Sequence, residues 1–503
     1  MAGIKALAKE TAIYGLSSII GRFLNWCLVP LYVWMFPTDE YGIVSYLYSF
    51  TAVALVILTY GMETGFFRFA SKHDRPDTVY TTSLLSVAST SLLAIFLLSL
   101  FLQPVSAAIK LPGHTDYVWM LGVIVALDAF TNIPFAYLRY KKRALRFASI
   151  KMLNVALNIG LNLFFLLLCP WLWKHCPDLI SWFYSIPGGD SYGIGWIFVA
   201  NFISTVVVLL CLLPEMTSPR YSFDGALLRR MLRYSWPLLI LGVAGIMSQN
   251  MGQMVIPYLF DDQKAAQSMV GIYGANIKIA IIMVMFTQAF RYAYEPFIFA
   301  QAGKSGEDKP QAFCDAMKFF VILGLFIFLA VMFYLPVIKR FISPAYWDGL
   351  DVVPVMMLAE LCCGVAFNLS LWYKLTDRTE WGMYMSVGCF AVMLGLNLLL
   401  VPAIGIPGGF MGSAWAALIS YALLMAVSWI AGRHYYPLPY QYKRMGAYAL
   451  LAALMYAAGG ELLLFPDMMW CTYTVRTLML VLYLYLVARY EHLPLPGHRR
   501  RAR

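Results

Sequence analysis

The 503 residues are 61% hydrophobic and only 13% charged, against about 45–50% and about 25% in soluble globular domains. That balance excludes an ordinary soluble domain and asks for helices whose outer faces meet lipid. The net charge of +11 lies in short loops between apolar runs rather than on one face, so no nucleic-acid partner is expected. Nine cysteines without CxxC or Cys/His spacing point to apolar filler, not to disulfides or metal.

The N-terminus, MAGIKALAKETAIYGL, runs into an apolar stretch of roughly 25 residues, longer than the h-region of a signal peptide. A retained first membrane span is expected there. Spans follow from the need for about 20 apolar helical residues per crossing. They are expected near 11–36, 43–66, 80–102, 117–138, 147–169, 193–213 and 236–260. The second set falls near 270–298, 316–338, 352–373, 381–402, 410–432, 446–465 and 470–488. Joints such as PTDEYG, SKHDRPDT and KLTDRTEWG separate them.

With the N-terminus inside, most Lys and Arg fall in inner segments, including Arg139–Arg146, Arg229–Arg233, Lys443–Arg444 and Arg499–Arg503. The outer loops hold Lys110, Lys174, Lys264, Lys339 and Arg340. This asymmetry predicts fourteen spans with both termini cytoplasmic. Trp34, Trp119, Trp171, Trp173 and Trp470 then sit at outer ends and Trp236, Trp372 and Trp381 at inner ones, where amphipathic rings prefer to lie. The terminal RRRAR reads as an anchor near anionic membrane lipid.

Internal similarity predicts a duplication. Gly15–Pro30 in the first span matches Gly242–Pro257 in the seventh at an offset of 227, with Ile19 against Ile246. Tyr41–Ile43 matches Val270–Ile272 at 229, and GLNL at Gly160–Leu163 recurs at Gly395–Leu398 at 235. Six spans is an even number, so the repeats are parallel. The expected fold is an all-α polytopic membrane protein of about 14 transmembrane helices, with two parallel-repeat six-helix lobes plus two C-terminal helices. Its expected parts are an N-terminal lobe at 1–213, a cytoplasmic linker at 214–235, a C-terminal lobe at 236–432, and spans 13–14 with a basic tail at 433–503.

A charge at the bilayer centre costs roughly 2.5–3.5 kcal/mol on insertion scales and so faces a cavity or a partner. Four stand in mid-span: Arg22, Asp128, Lys278 and Glu360. Asp128 and Glu360 are 232 apart, which places them at corresponding points of the two lobes. Arg22 corresponds to Gln249, beside Asn250, so span 7 is polar where span 1 is cationic. One reading has Arg22 and Lys278 hold an anionic group such as phosphate, with Gln249, Asn250 and Asn25 as polar partners. The other has the two cations pair with Asp128 or Glu360 as structural ions. Asp128 and Glu360 are likewise candidates either for binding a coupling proton or sodium ion or for structural pairing. Glu63, Arg68, Arg291 and Glu295 lie at inner span ends and are candidates for inner-gate ion pairs. Asn132, Asn162, Asn368 and Asn397 read as interhelical hydrogen-bonding groups, and GGFMGSAW as a close-packing segment.

The chain resembles bacterial polysaccharide and oligosaccharide flippases of the Wzx type, in the superfamily that also holds MATE exporters and the lipid II flippase. The phrases that carry the resemblance are ETAIYGLSSIIGRFLNWCLVPLY, EYGIVSYLYSF, YGMETGFFRFAS and IPFAYLRYKKRALRFASIKMLNVALNIGLNL, then FTQAFRYAYEPFIFAQA, LWYKLTDRTEWGMYMS and GGFMGSAWAALISYALL. Their order across fourteen spans is more specific than any one of them. The resemblance implies a V-shaped pair of lobes that moves undecaprenyl-pyrophosphate-linked oligosaccharide from the inner to the outer leaflet of the bacterial cytoplasmic membrane. It also implies a cationic cavity with basic residues on helices 1 and 8, where Arg22 and Lys278 fall, and polysaccharide polymerase machinery as a partner. Gln249 and Asn250 depart from a fully cationic lumen.

The runner-up is a MATE-like cation-coupled exporter of drugs or metabolites. A glycan polymerase or ligase is less well supported, because the longest outer loop, 170–192, offers only Lys174, His175, Asp178 and Asp190. No GxxxxGK[ST] occurs, so neither ATP hydrolysis nor a cofactor is expected.

Overall fold

A computed structural model describes residues 20–21, 23–184, 192–217, 221–302, 309–370, 372–373, 378, 380–459 and 469–491. The side chains of 177, 182–183, 292–293, 295–302, 309–310 and 469 lie outside that description. The described residues are mostly helical and include no strand.

The membrane helices are α1 (Phe23–Met35), α2 (Thr38–Ala70), α3 (Pro76–Leu100), α4 (Thr115–Tyr140), α5 (Ala144–His175), α6 (Gly195–Thr217) and α7 (Gly225–Leu259). They continue with α8 (Gln263–Arg291), α9 (Gln311–Phe333), α10 (Val352–Leu369), α11 (Glu380–Ile404), α12 (Phe410–Tyr435), α13 (Tyr442–Ala457) and α14 (Trp470–Tyr490). Among the described residues, twelve are long and apolar enough to cross a bilayer; α1 and α13 are the shorter ones. Each overlaps one expected span, in order. The chain is therefore an all-α, multi-pass membrane protein.

Local chemistry sets the breaks. Pro76 opens α3 at its first turn, where a missing N–H costs nothing. The Asp224 carboxylate caps α7, accepting from the backbone N–H of Ala226 at 2.9 Å and of Leu227 at 3.0 Å. In α2 the backbone turns left-handed at Tyr60 and Gly61, with φ of 33° and 68°. Glycine tolerates that best, and the helix resumes on a new course as Met62–Ala70. In α5 a π-helical turn, Phe164–Leu168, precedes Pro170, whose ring disturbs the preceding turn.

The chain divides into two compact units: Met1–Ala275 with Ser386–Ser413, and Asn276–Met385 with Ala414–Arg503. In the first, α4 is the core helix. It packs on α2, α3, α5 and α6, with 61% of its apolar window buried against 22% for α3, which is left to face lipid. Met62, Phe66, Leu84, Ile133, Leu212 and Met231 share one apolar core, beside which Tyr80 and Tyr137 stack at 4.0 Å. Near their N-terminal ends, α2 and α8 approach backbone to backbone. A Cβ on Gly42 would strike the Gln267 carbonyl, and one on Gly271 the Thr38 carbonyl. The hydroxyls of Thr38 and Ser268 lie 2.7 Å apart beside that crossing. Asn397 on α11 accepts from Ser413 at 2.7 Å, and Asn162 on α5 accepts from Tyr32 at 2.9 Å, so both amides join helices.

In the second unit α9 is central, packed by α10, α13 and α14. Small residues admit large ones across α9 and α10: Leu361 fills the space at Gly324, and Phe320 that at Gly364. Helices α13 and α14 are fastened to α9 at both ends. At one end the buried Lys318 ammonium pairs with Glu491, which also accepts from Tyr448 and lies 3.7 Å from Arg444. At the other end Arg476, 6% exposed, donates to the carbonyls of Phe333 at 2.9 Å and Gly459 at 3.2 Å. Between these ends, the buried Tyr483 hydroxyl donates to Ile322 O at 3.2 Å.

Candidate functional site

Arg22 lies outside the described residues. Residues on either side of it in the sequence meet α5: a Cβ on Gly21 would touch Val155 at 3.3 Å, and the exposed Asn25 of α1 accepts from Asn158 Nδ2 at 3.3 Å. On α7, Gln249 is exposed, and the half-buried Asn250 donates to Ile246 O at 2.9 Å, within its own helix. The buried polar group there is Gln253, which accepts from the Ser49 hydroxyl of α2.

Lys278 is half-buried on α8. Gln267, Gly271, Gly274 and Lys278 follow at spacings of four, three and four, which puts them on one helix face. The first three carry the α2 crossing, with Ser45 against Gly274. Lys278 therefore lies on that same face, one turn further along the helix.

The acids differ in their surroundings. Asp128 on α4 accepts from Thr205 of α6 at 3.5 Å and lies within electrostatic range of Lys151 of α5. The Lys151 ammonium sits 4.0 Å over the Phe135 ring. Asn201, one turn along α6 from Thr205, donates to the Tyr48 hydroxyl of α2 at 3.1 Å. Four helices thus enclose a polar cluster inside the first unit. Glu360, half-buried on α10, has no hydrogen bond or ion pair to any other described residue.

Glu63 pairs with Arg139 of α4, while Arg68, on the same short helix as Glu63, stacks over the Tyr234 ring of α7 at 4.1 Å. Arg291 stacks over Phe367 of α10 at 4.4 Å. Glu295 has its side chain outside the described residues. The structure adds ion pairs not anticipated from the sequence. Glu215, 4% exposed, binds Arg146 at 2.6 Å with Arg143 at 3.9 Å, and Lys318 binds Glu491. Lys151 was equally unforeseen, although Lys151, Asn154, Asn158 and Asn162 recur every three or four residues on α5, a polar stripe readable in advance.

A family model described as "Polysaccharide biosynthesis protein" matches residues 7–299. Among solved structures, the chain is similar to "Lipid II flippase MurJ, inward closed conformation" at 12% identity and a TM-score of 0.72, covering 96% of this chain and 99% of that one. It is also similar to an inward-facing multidrug resistance MATE family transporter of the MOP superfamily, at 14% identity and a TM-score of 0.63, covering 85% and 95%. A MATE crystal structure in the straight conformation follows at 14% identity and 0.57, covering 88% and 96%. A search of curated proteins found no match. At these identities the structural likeness establishes the fold.

Proposed function

Because the chain belongs to the polysaccharide biosynthesis protein family, we propose that it is a flippase for a lipid-linked oligosaccharide. The substrate is an undecaprenyl-pyrophosphate-linked glycan, carried from the cytoplasmic to the periplasmic leaflet of the bacterial inner membrane by alternating access. Its product feeds a cell-surface polysaccharide such as O-antigen, capsule or exopolysaccharide, with polymerase machinery as the downstream partner. Both chain termini lie in the cytoplasm, and the lobes are 1–213 and 236–432, joined by the linker 214–235, with 433–503 outside the repeat.

The observation that carries this reading is the position of Lys278. A lysine in mid-helix, half-buried and on the face that holds the helix crossing, has no cheap exit to lipid. Lys278 as a point charge and Arg22 as a bidentate donor supply what a pyrophosphate needs. Gln249, Asn250 and Asn25 serve as polar partners. The likeness to a lipid II flippase over 96% of the chain supports a scaffold suited to lipid-linked cargo.

A second reading, a cation-coupled exporter of drugs or metabolites, draws on the Asp128 cluster and on the MATE neighbours. The deciding experiment places the purified protein in liposomes with a lipid-linked oligosaccharide and follows its leaflet by enzymatic accessibility. Transfer that depends on the protein is expected. Absence of transfer together with uptake of an organic cation would establish the exporter instead.

A further inference from the structure

The first stretch of α2, Thr38–Thr59, and α3 both lie along α4 but make few contacts with each other, α2 packing on α3 mainly through Met62–Ala70. Each is held by something different. At its outer end α2 is drawn against α8 through Gly42 and Gly271, while α3 leans on α4 at Gly122, where a Cβ would run into the Leu98 side chain. A wedge opens between them, with a cavity of about 380 Å³ lined by residues of α2, α3, α4 and the segment that joins α3 to α4.

The wedge is dry by composition. Phe50, Ala54, Ile57, Ala94 and Leu98 are typical of its walls, and its one hydroxyl, Thr51, is already committed to Leu47 O at 2.8 Å. Water needs two to four polar partners to occupy such a space, whereas an apolar cavity of about 150 Å³ already takes up benzene. The wedge is continuous with the lipid-facing surface of α3, where Leu92, Phe96 and Leu97 are exposed, and Ile57 in its own wall is 49% exposed. Its outer end is roofed by the short helix Leu102–Ala108. Tyr46 donates to Ile109 O at 2.9 Å and Tyr258 to Ala108 O at 3.0 Å, fixing that roof. The next residue, Lys110, is exposed and brings a cation to the level where a lipid headgroup lies.

We propose that this wedge is a binding site for one acyl chain of an anionic bilayer phospholipid, with Lys110 drawing its phosphate. The roof closes the route outward, so the chain enters sideways from the bilayer. The volume suits a single acyl chain and is far too small for a long polyisoprenoid. None of the residues that line the wedge belongs to the substrate-binding set proposed above, and the proposal does not depend on what the protein transports.

The test uses the full chain in bilayers containing phosphatidylglycerol with a photoactivatable group on its acyl chain. Adducts are expected on the α2 and α3 segments that line the wedge. They should disappear in the double variant Ala54→Phe with Ala94→Phe, and Lys110→Gln should remove the preference for phosphatidylglycerol over phosphatidylcholine. Should the double variant fail to fold, Ala54→Leu alone fills part of the wedge and should reduce the adducts. Undiminished labelling of a folded variant, equal labelling by both headgroups in the wild type, or displacement of the probe by a polyprenyl phosphate would each overturn the proposal.

Discussion

Gly42 of α2 and Gly271 of α8 stand 229 residues apart, and each removes a side chain that would strike the other helix. The match is reciprocal: Gly42 faces Gln267 and Gly271 faces Thr38, and Gln267 is the counterpart of Thr38 at the same offset. The two glycines and their two partners thus stand at the offset expected of the internal repeat.

Gly42→Ala and Gly271→Ala should each destabilise the protein by about 1–3 kcal/mol, the usual penalty for overpacking. A Cβ at Gly245 meets nothing within 4 Å, so Gly245→Ala is the matched control. Thermal unfolding in detergent checks the contrast. Equal melting temperatures for the three variants would refute the close approach.

Glu215 is the buried member of its ion pair, 4% exposed against 42% for Arg146. Removing Arg146 leaves a carboxylate short of its best donor. Arg146→Ala should cost on the order of 2 kcal/mol, whereas Arg143→Ala, at the longer and more exposed contact, should cost little. A double-mutant cycle with Glu215→Gln would isolate the coupling.

Acid should loosen the second unit through Glu491. Burial alone would raise this carboxyl, but the hydrogen bonds from Lys318 and Tyr448 and the nearby Arg444 charge outweigh it and hold Glu491 below its ordinary range. A depressed carboxylate adds stability that is complete above the ordinary value of about 4.3. That stability is lost as pH falls through the lower, folded-state value. Melting curves between neutral pH and pH 3 should show the loss, and Glu491→Gln should flatten it. Lys318→Met, which strands the charge, should cost about 3–5 kcal/mol.

Lys278→Gln and Arg22→Gln should insert and fold as the wild type does yet lose transport of the lipid-linked oligosaccharide. Glycan transfer in liposomes is the readout. Wild-type rates in both variants would end the role proposed for these cations.

Asp128→Asn and Glu360→Gln address coupling. If either carboxyl carries the coupling ion, an imposed proton or sodium gradient should accelerate transport by the wild type and not by that variant. Transport indifferent to both gradients would remove the idea.

What could be read in advance follows from range. Hydropathy is local, so the twelve described helices long and apolar enough to cross a bilayer were legible, as was the role of Asn162 and Asn397 in joining helices. Ion-pair partners are not local. Glu63 and Arg68 share a short helix, but the left-handed break at Tyr60–Gly61 resets its course, and Glu63 meets Arg139 instead. Glu215 ends an apolar run, and Lys318 and Glu491 lie 173 residues apart; nothing in either neighbourhood announces the partner. The Lys151 stripe was visible as a period, but its proximity to Asp128 arises only when α5 packs beside α4.

The fastening of α13 and α14 to α9 has a practical consequence. With an ion pair at one end, arginine at the other and Tyr483 along the way, the last two helices ride on α9 as passengers and cannot swing separately. A fluorophore on the exposed Leu478 or Leu482 would then report the travel of α9 itself, and a spectroscopist could track that helix without placing a dye in its packed core.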